Sequence, residues 1–183
     1  MAVGEARLVD VGSGLVPEGE GWFVVNLADA GWFRNPALGH SALFLPDERS
    51  PELGVNVGVL EPGRPNCLYH AESVQEAFLV LAGECVLVVE GEERRLRAWD
   101  YVHCPAGTRH VFVGAGDSRC AVLCIGARRP DRGALFPVDE AAARHGASVA
   151  HETTSPPEAY SGFPAFEPER LDHAGLPWEP RRG

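Results

Sequence analysis

Short hydrophobic runs of the β type recur between residues 53 and 127 of the chain. Each run is bounded by a turn signal rich in Gly, Pro, Asn or Asp, and no helical pattern lies between them. Strands at this spacing predict an all-β sandwich or barrel. In chain order the runs are VNVGVL, EAFLVL, ECVLVVE, DYVHC, HVFVGA and CAVLCIGA.

The segment VLVVEGEERRLRAW predicts a β-hairpin that turns at Gly91, with a polar strand returning on the outside. Residues 1–52 alternate short apolar runs with Gly, Pro and Asn, and predict an irregular arm with a few edge strands. The stretch VDEAAARHGA predicts one short helix, with Asp139 as its N-cap and Gly146 as its C-cap.

The C-terminal tail carries six prolines from Pro156 onward, which argue against regular structure. Four aromatic residues nevertheless give the tail surface to bury: Tyr160, Phe163, Phe166 and Trp178. We therefore expect a strap, packed either on its own barrel or on a partner subunit. The predicted division is a single domain, 1–183, with an arm at 1–52, a barrel core at 53–128, and a helix and strap at 129–183.

Composition narrows the class of protein. The chain has 183 residues, 45% hydrophobic and 23% charged, as in an ordinary globular domain. A net charge of −10 with dispersed basic residues argues against nucleic-acid binding. All 16 basic residues are arginines, and the absence of lysine excludes Schiff-base catalysis, pyridoxal phosphate attachment and a P-loop lysine.

No apolar stretch is long enough for a membrane span and no secretory signal begins the chain, so we expect a cytoplasmic protein. The five cysteines form no CxxC pair, which argues against a zinc ribbon and a disulfide framework. Cys85, Cys120 and Cys124 are expected to be small core residues.

Ionisable residues open two of the predicted strands. His70 and Glu72 share one face of a strand, and a kink at 73–75 would bring Glu76 onto the same face. His110 opens a later strand, directly after the turn at CPAGTR. Two histidines with one or two carboxylates suit a divalent first-row metal and leave coordination positions open for substrate or dioxygen.

These two stretches resemble the two sequence motifs of the cupin superfamily. The first motif has the form G-x5-H-x-H-x3/4-E-x6-G, and Glu76 with Gly83 matches its end. The second has the form G-x5-P-x-G-x2-H-x3-N, of which Pro105, Gly107 and His110 match P-x-G-x2-H without a gap.

The chain also departs from these motifs. Glu72 replaces the second histidine of the first motif, and Gly63 lies one residue too far from His70. Trp99 and Gly114 stand where the second motif has its first glycine and its asparagine. In the other register the histidine positions would hold Tyr69 and Ala71. We prefer the register with His70, because it keeps ligand chemistry at every position.

The resemblance implies a cupin-type β-barrel, a double-stranded β-helix or jelly roll. It also implies one divalent transition metal, zinc, iron or manganese, and a likeness to small single-domain cupins that bind a metal. The implied ligands are His70, Glu72, Glu76 and His110. Glu72 and His103 are the candidate catalytic residues for proton transfer.

The resulting functional hypothesis is a metal-binding cupin that acts on a small organic molecule. Oxygenase-type chemistry ranks first by analogy with the superfamily, followed by isomerase or hydrolytic chemistry. The alternative is a non-catalytic small-molecule binding or sensor cupin with a structural metal. We expect a homodimer, because small cupin barrels commonly pack sheet to sheet and the aromatic arms need partners. Neither nucleic acid nor a membrane is an expected partner.

Overall fold

Every run predicted as a strand between residues 53 and 127 is a strand in the computed structural model, which describes residues 2–45, 50 and 52–178. The described strands are β1 (Arg7–Asp10), β2 (Leu15–Glu18), β3 (Phe33–Asn35), β4 (Gly39–Leu43), β5 (Leu53–Leu60), β6 (Ala71–Glu72), β7 (Glu76–Ala82), β8 (Glu84–Val89), β9 (Glu92–Arg97), β10 (Tyr101–Cys104), β11 (His110–Ala115), β12 (Cys120–Ala127), β13 (Ala134–Leu135) and β14 (Glu167–Pro168). The described helices are α1 (Glu140–Arg144) and α2 (Pro156–Ala159).

Two antiparallel sheets form most of the fold. The larger has the strand order β10-β7-β12-β5-β4-β3-β14, and the smaller has the order β11-β8-β9. Two short ribbons, β1-β2 and β6-β13, complete the described strands. Strands β3 and β4 from the predicted arm and β14 from the tail extend the sheet that the strands of the predicted core form. The single-domain division remains a proposal.

The core lies between the two sheets. Alternate residues of each strand face the opposite sheet, as the period of two along a strand requires. The buried residues of this core are Leu60, Phe78, Val80, Cys85, Leu87, Cys104, Phe112, Cys120 and Val122. Both layers are β-sheets and contribute to one core, which confirms the predicted all-β class.

The outer faces of the sheets are covered by the arm and the tail. Trp32 of the arm packs with Leu171 and Leu176 of the tail on the outer face of the larger sheet. The rings of Trp32 and Trp178 stack there with centroids 6.2 Å apart. Helix α1 covers the smaller sheet through its buried alanines. The described part of the tail is therefore a strap on its own chain.

The hairpin turn and the N-cap of α1 are confirmed, whereas the C-cap of α1 is His145 and not the predicted Gly146. Glu90 and Gly91 both have positive φ, 49° and 78°, which is the two-residue type I′ connection between β8 and β9. The Asp139 side chain caps α1 by accepting from the backbone N–H of Ala142 at 2.8 Å. His145 is the C-cap, and Gly146 follows it with a φ of 68°.

The prediction that the tail lacks regular structure is wrong at two places. Helix α2 begins with Pro156 and Pro157 in its first turn, where no backbone N–H is needed, and Ser155 caps it. Pro168 lies in β14, the edge strand of the larger sheet, where a missing N–H removes no ladder bond to a further strand.

Trp99 occupies a backbone conformation that favours glycine. Its φ is 77°, its side chain is 75% exposed, and its N–H donates to Val80 O in the turn between β9 and β10. A residue with a Cβ is disfavoured in this region by roughly 1–2 kcal/mol. This conformation explains why the cupin motif has glycine at the position of Trp99.

We therefore expect Trp99→Gly to be more stable than Trp99→Ala by about 1 kcal/mol, because only glycine relieves the left-handed backbone. The measurement is the free energy of unfolding from urea titration. At Tyr101, which is also exposed but has no positive φ, the order of the glycine and alanine variants should reverse. A glycine variant at Trp99 that is less stable than the alanine variant would contradict the expectation.

Candidate metal centre

Three of the four predicted ligands lie together. The ligand atoms of His70, Glu76 and His110 all lie within 4.8 Å of one another. His110 Nε2 lies 3.5 Å from Glu76 Oε2. His110 is the first residue of β11 and Glu76 is the first residue of β7, so the two sheets meet at this cluster.

Backbone pairing fixes the two histidines opposite each other. His70 donates its N–H to His110 O at 3.2 Å, and His110 donates its N–H to His70 O at 2.8 Å. Such a reciprocal antiparallel pair directs both side chains to the same face. The ring centroids are consequently 5.1 Å apart.

Both imidazoles have the tautomer that a metal ligand needs. His70 Nδ1 lies 2.8 Å from Leu68 O, and His110 Nδ1 lies 3.0 Å from Thr108 O. A carbonyl oxygen only accepts, so each Nδ1 carries the proton and each Nε2 carries the lone pair. Holding the remote nitrogen in this way is the usual support of a histidine that binds a metal.

Burial perturbs all three groups. Desolvation, followed by the charge of Glu72, raises the pKa of Glu76 to about 7. Desolvation, followed by the proximity of His70, lowers the pKa of His110 to about 4. The pKa of His70 is also lowered by burial. A cation among them would stabilise the carboxylate and the neutral imidazoles, so the donor set fits a divalent metal.

Aromatic rings surround the cluster. The His110 ring lies 5.0 Å from Phe78, and the His70 ring stacks on Phe136 at 5.7 Å. Phe78 in turn contacts Phe112 at 4.7 Å between centroids. These rings exclude water from one side of the histidines and limit their rotation.

A cavity of about 270 Å³ opens beside the cluster. A second cavity, of about 190 Å³, lies next to it and shares Asn56, Glu76 and Cys124. Glu76 therefore faces both cavities. The first is lined by Leu38, His40, Ser41, Asn56, Gly58, Val59, Leu60, Asn66, Cys67, His70, Glu76, Phe78, His110, Cys124 and Phe166.

Glu72 and His103 lie apart from the cluster. Glu72 is not among the residues whose ligand atoms meet within 4.8 Å, and it lines the second cavity. The break between β6 and β7 at 73–75 is where the kink was predicted. His103 is exposed, whereas Cys104 beside it faces the core. The geometry thus brings together three predicted ligands and gives His103 no place at the cavity.

Several cavity residues have no predicted role in the site from the sequence. His40, Asn56 and Phe166 line the first cavity but belong to β4, β5 and the tail, outside the two motifs. His40 Nδ1 is also buried without a hydrogen-bond partner among the described residues. No local signal marks these positions, because only the pairing of β4 with β5 and of β14 with β3 brings them to the site.

The final position of the second motif is glycine for a steric reason. A Cβ at Gly114 would lie 2.3 Å from Glu61 O, so the asparagine of the motif has no room here. Asn66 instead holds the backbone of β11, because its Oδ1 accepts from Phe112 N–H at 3.0 Å. Tyr69 is buried and packs outside the site, against Val88 and Val111 of the smaller sheet.

Comparisons with known proteins agree with this fold. A family model described as the cupin domain matches residues 56–126, which include all three clustered ligands. No curated protein matches the chain.

Among solved structures, the chain is similar to a predicted oxalate decarboxylase from Thermotoga maritima, with 20% identity, coverage of 58% of this chain and 99% of that chain, and a TM-score of 0.52. It is also similar to the polyketide cyclase RemF from Streptomyces resistomycificus, with 18% identity, coverage of 60% and 82%, and a TM-score of 0.51. A sugar phosphate isomerase from a cupin superfamily of Silicibacter pomeroyi gives 24% identity, coverage of 72% and 80%, and a TM-score of 0.48.

Identities this low indicate the fold and leave the activity open. The family match nevertheless coincides with the strands that carry the cluster, and the first two structures share their arrangement. The chain therefore contains a cupin domain, and the part that matches the family model, residues 56–126, includes His70, Glu76 and His110.

Proposed function

We propose that the chain binds one divalent transition metal through His70, Glu76 and His110 and acts as an enzyme on a small organic molecule, with oxygenase-type chemistry. The observation that carries the proposal is the cluster itself. Two neutral imidazoles with free Nε2 atoms and one carboxylate converge within 4.8 Å beside a cavity.

The donor set favours iron among the metals that the sequence left open. Two histidines and one carboxylate with open positions are typical of non-haem iron(II) oxygenases, although zinc and manganese also accept such donors. When bound, the metal would supply Lewis-acid or one-electron redox chemistry. The chain's own residues hold the donors, through Leu68 O and Thr108 O, and keep water from one face through Phe78.

Glu72 is the proposed proton-transfer residue rather than a ligand. It lines the second cavity together with Glu76, although its carboxylate lies outside the cluster of ligand atoms, and its charge contributes to the raised pKa of Glu76. A carboxylate at this position could take a proton from a molecule bound beside the metal. We leave His103 out of the proposal, because it is exposed.

The non-catalytic alternative requires that the protein fill the coordination shell. The described residues supply three donors, and a structural site normally has four. Three donors therefore favour an enzyme over a sensor with a structural metal.

The homodimer and the cytoplasmic location also remain proposals. The tail aromatics that motivated a dimer contact the same chain, since Tyr160 OH accepts from Leu68 N–H and Trp178 stacks on Trp32. Exposed aromatic residues elsewhere, Trp22 and Tyr101, are the remaining support for a partner copy. Neither described helix is long and apolar enough to cross a membrane.

Purified protein should carry close to one divalent metal per chain, and His110→Ala should reduce this content by at least tenfold, because it removes one of three donors. Elemental analysis after dialysis measures the content. His151→Ala is the matched control, since His151 is exposed and has no proposed role in the site. Glu72→Gln should retain the metal. Full metal content in His110→Ala would show that the ligands are wrong.

The stability of metal-free protein should respond to pH through Glu76. Its folded pKa, about 7, lies above the usual value, so the buried carboxylate costs stability once the pH passes from 4.5 through 7. Glu76→Gln lacks this cost. The free energy of unfolding of the variant, relative to that of the parent, should rise by roughly 2 kcal/mol between pH 5 and pH 8.

With saturating zinc, the parent should instead be more stable than Glu76→Gln. The ion stabilises the carboxylate of the parent, whereas the variant has lost this ligand. Chemical denaturation at each pH, with and without zinc, measures both effects. A relative stability that does not change with pH in the metal-free protein would contradict the assigned burial of Glu76.

Open coordination positions can be tested with nitric oxide as a stand-in for dioxygen. Protein loaded with iron(II) without air should give the electron paramagnetic resonance signal of a ferrous nitrosyl, and His110→Ala should not. If the parent binds one iron per chain and gives no such signal, the protein fills the shell, and the non-catalytic alternative would replace the enzyme.

A further inference from the structure

The cavity beside the cluster is small, and its wall combines apolar side chains with uncharged polar groups. We infer that its ligand is a compact molecule with a hydrocarbon part that chelates the metal through oxygen atoms and carries at most one negative charge. Phosphorylated sugars and small dicarboxylates fall outside this class. The inference rests on the proposed function and names the substrate class of the same site.

Volume sets the first limit. The cavity measures about 270 Å³, which lies just below the roughly 300–1,000 Å³ of pockets that hold drug-sized ligands. The wall sets the second limit. It includes four apolar side chains from four parts of the fold: Leu38, Leu60, Phe78 and Phe166. A ligand gains most here by burying hydrocarbon against them.

The polar groups of the wall are neutral. Ser41, Asn56 and Asn66 offer hydroxyl and amide groups. Burial lowers the pKa of His40, which keeps its imidazole uncharged at neutral pH. These residues can orient a hydroxyl or carbonyl group, but they cannot neutralise a charge.

Charge sets the third limit. Glu76 is the one residue with a formal charge among the described residues that line this cavity, and the chain contains no lysine. A divalent ion together with Glu76 leaves a single positive charge, which one anionic oxygen of a chelating ligand would balance. A second negative charge would be buried without a cation, which costs several kcal/mol.

The neighbouring cavity does not supply that cation directly. Arg128 and Arg132 line it, but Glu72 lies there too, and Arg128 already donates to Ser50 O at 2.8 Å and to Leu45 O at 3.4 Å. Asn56, Glu76 and Cys124 line both cavities, so a charged group of the ligand that extended toward these arginines would meet the Glu76 carboxylate.

Two hydroxamates of equal chelating chemistry test the inference. Benzohydroxamate carries a phenyl ring, and phosphoglycolohydroxamate carries a phosphate. Isothermal titration of the full chain loaded with zinc should give a Kd for benzohydroxamate at least tenfold lower than for phosphoglycolohydroxamate. An equal or lower Kd for the phosphate compound would overturn the inference, since a cation would then have to reach the ligand.

Phe166 provides a variant of the wall itself. Phe166→Ala should weaken benzohydroxamate binding about threefold or more, because it removes apolar contact area, and should leave phosphoglycolohydroxamate nearly unchanged. Trp99→Ala, a second exposed aromatic outside the cavity lining, should change neither Kd. Equal losses for both compounds in Phe166→Ala would contradict the apolar wall.

Zinc content measured before each titration separates the two proposals. A parent chain that binds no zinc would overturn the proposed function, and this inference with it. A chain that binds one zinc and prefers the phosphate compound would overturn the substrate class alone.

Discussion

The reciprocal backbone pairing of His70 with His110 is the constraint on which the site depends. It joins the segment before β6 to the first residue of β11, two parts of the chain forty residues apart in sequence. Because the pair exchanges both N–H groups, the two side chains lie on the same face of the strand pair, and the Nδ1 bonds to Leu68 O and Thr108 O orient the rings. Glu76 then needs only the position of β7 in the larger sheet to reach His110.

This arrangement places ionisable groups where water is scarce. The shifted pKa values of Glu76 and His110 have desolvation as their largest cause, so the metal-free cluster is a cost to the fold. The Nδ1 bonds to Leu68 O and Thr108 O show what offsets part of that cost, because each imidazole keeps one satisfied donor. A bound cation would offset the remaining cost, because it stabilises the carboxylate and the neutral imidazoles.

The predictions from sequence succeeded where a local rule governs the structure. Gly91 marks the hairpin because its turn needs a left-handed φ, and Asp139 marks the start of α1 because its side chain caps the helix. The tail shows the limit of such rules. The prolines of the tail predict irregular structure, yet Pro156 begins a helix and Pro168 lies in an edge strand. Neither position needs a backbone N–H, so proline is tolerated at both.

The short β-type runs with their turn signals predicted the all-β class, and the motif spacing predicted two members of the cluster, Glu76 and His110. Both are periodic or motif-encoded properties of short segments. Tertiary structure alone decided that Glu72 lies outside the cluster and that His40 and Phe166 line the cavity. These positions depend on which strands pair and in what register, and a register is fixed by packing between segments that are distant in the sequence.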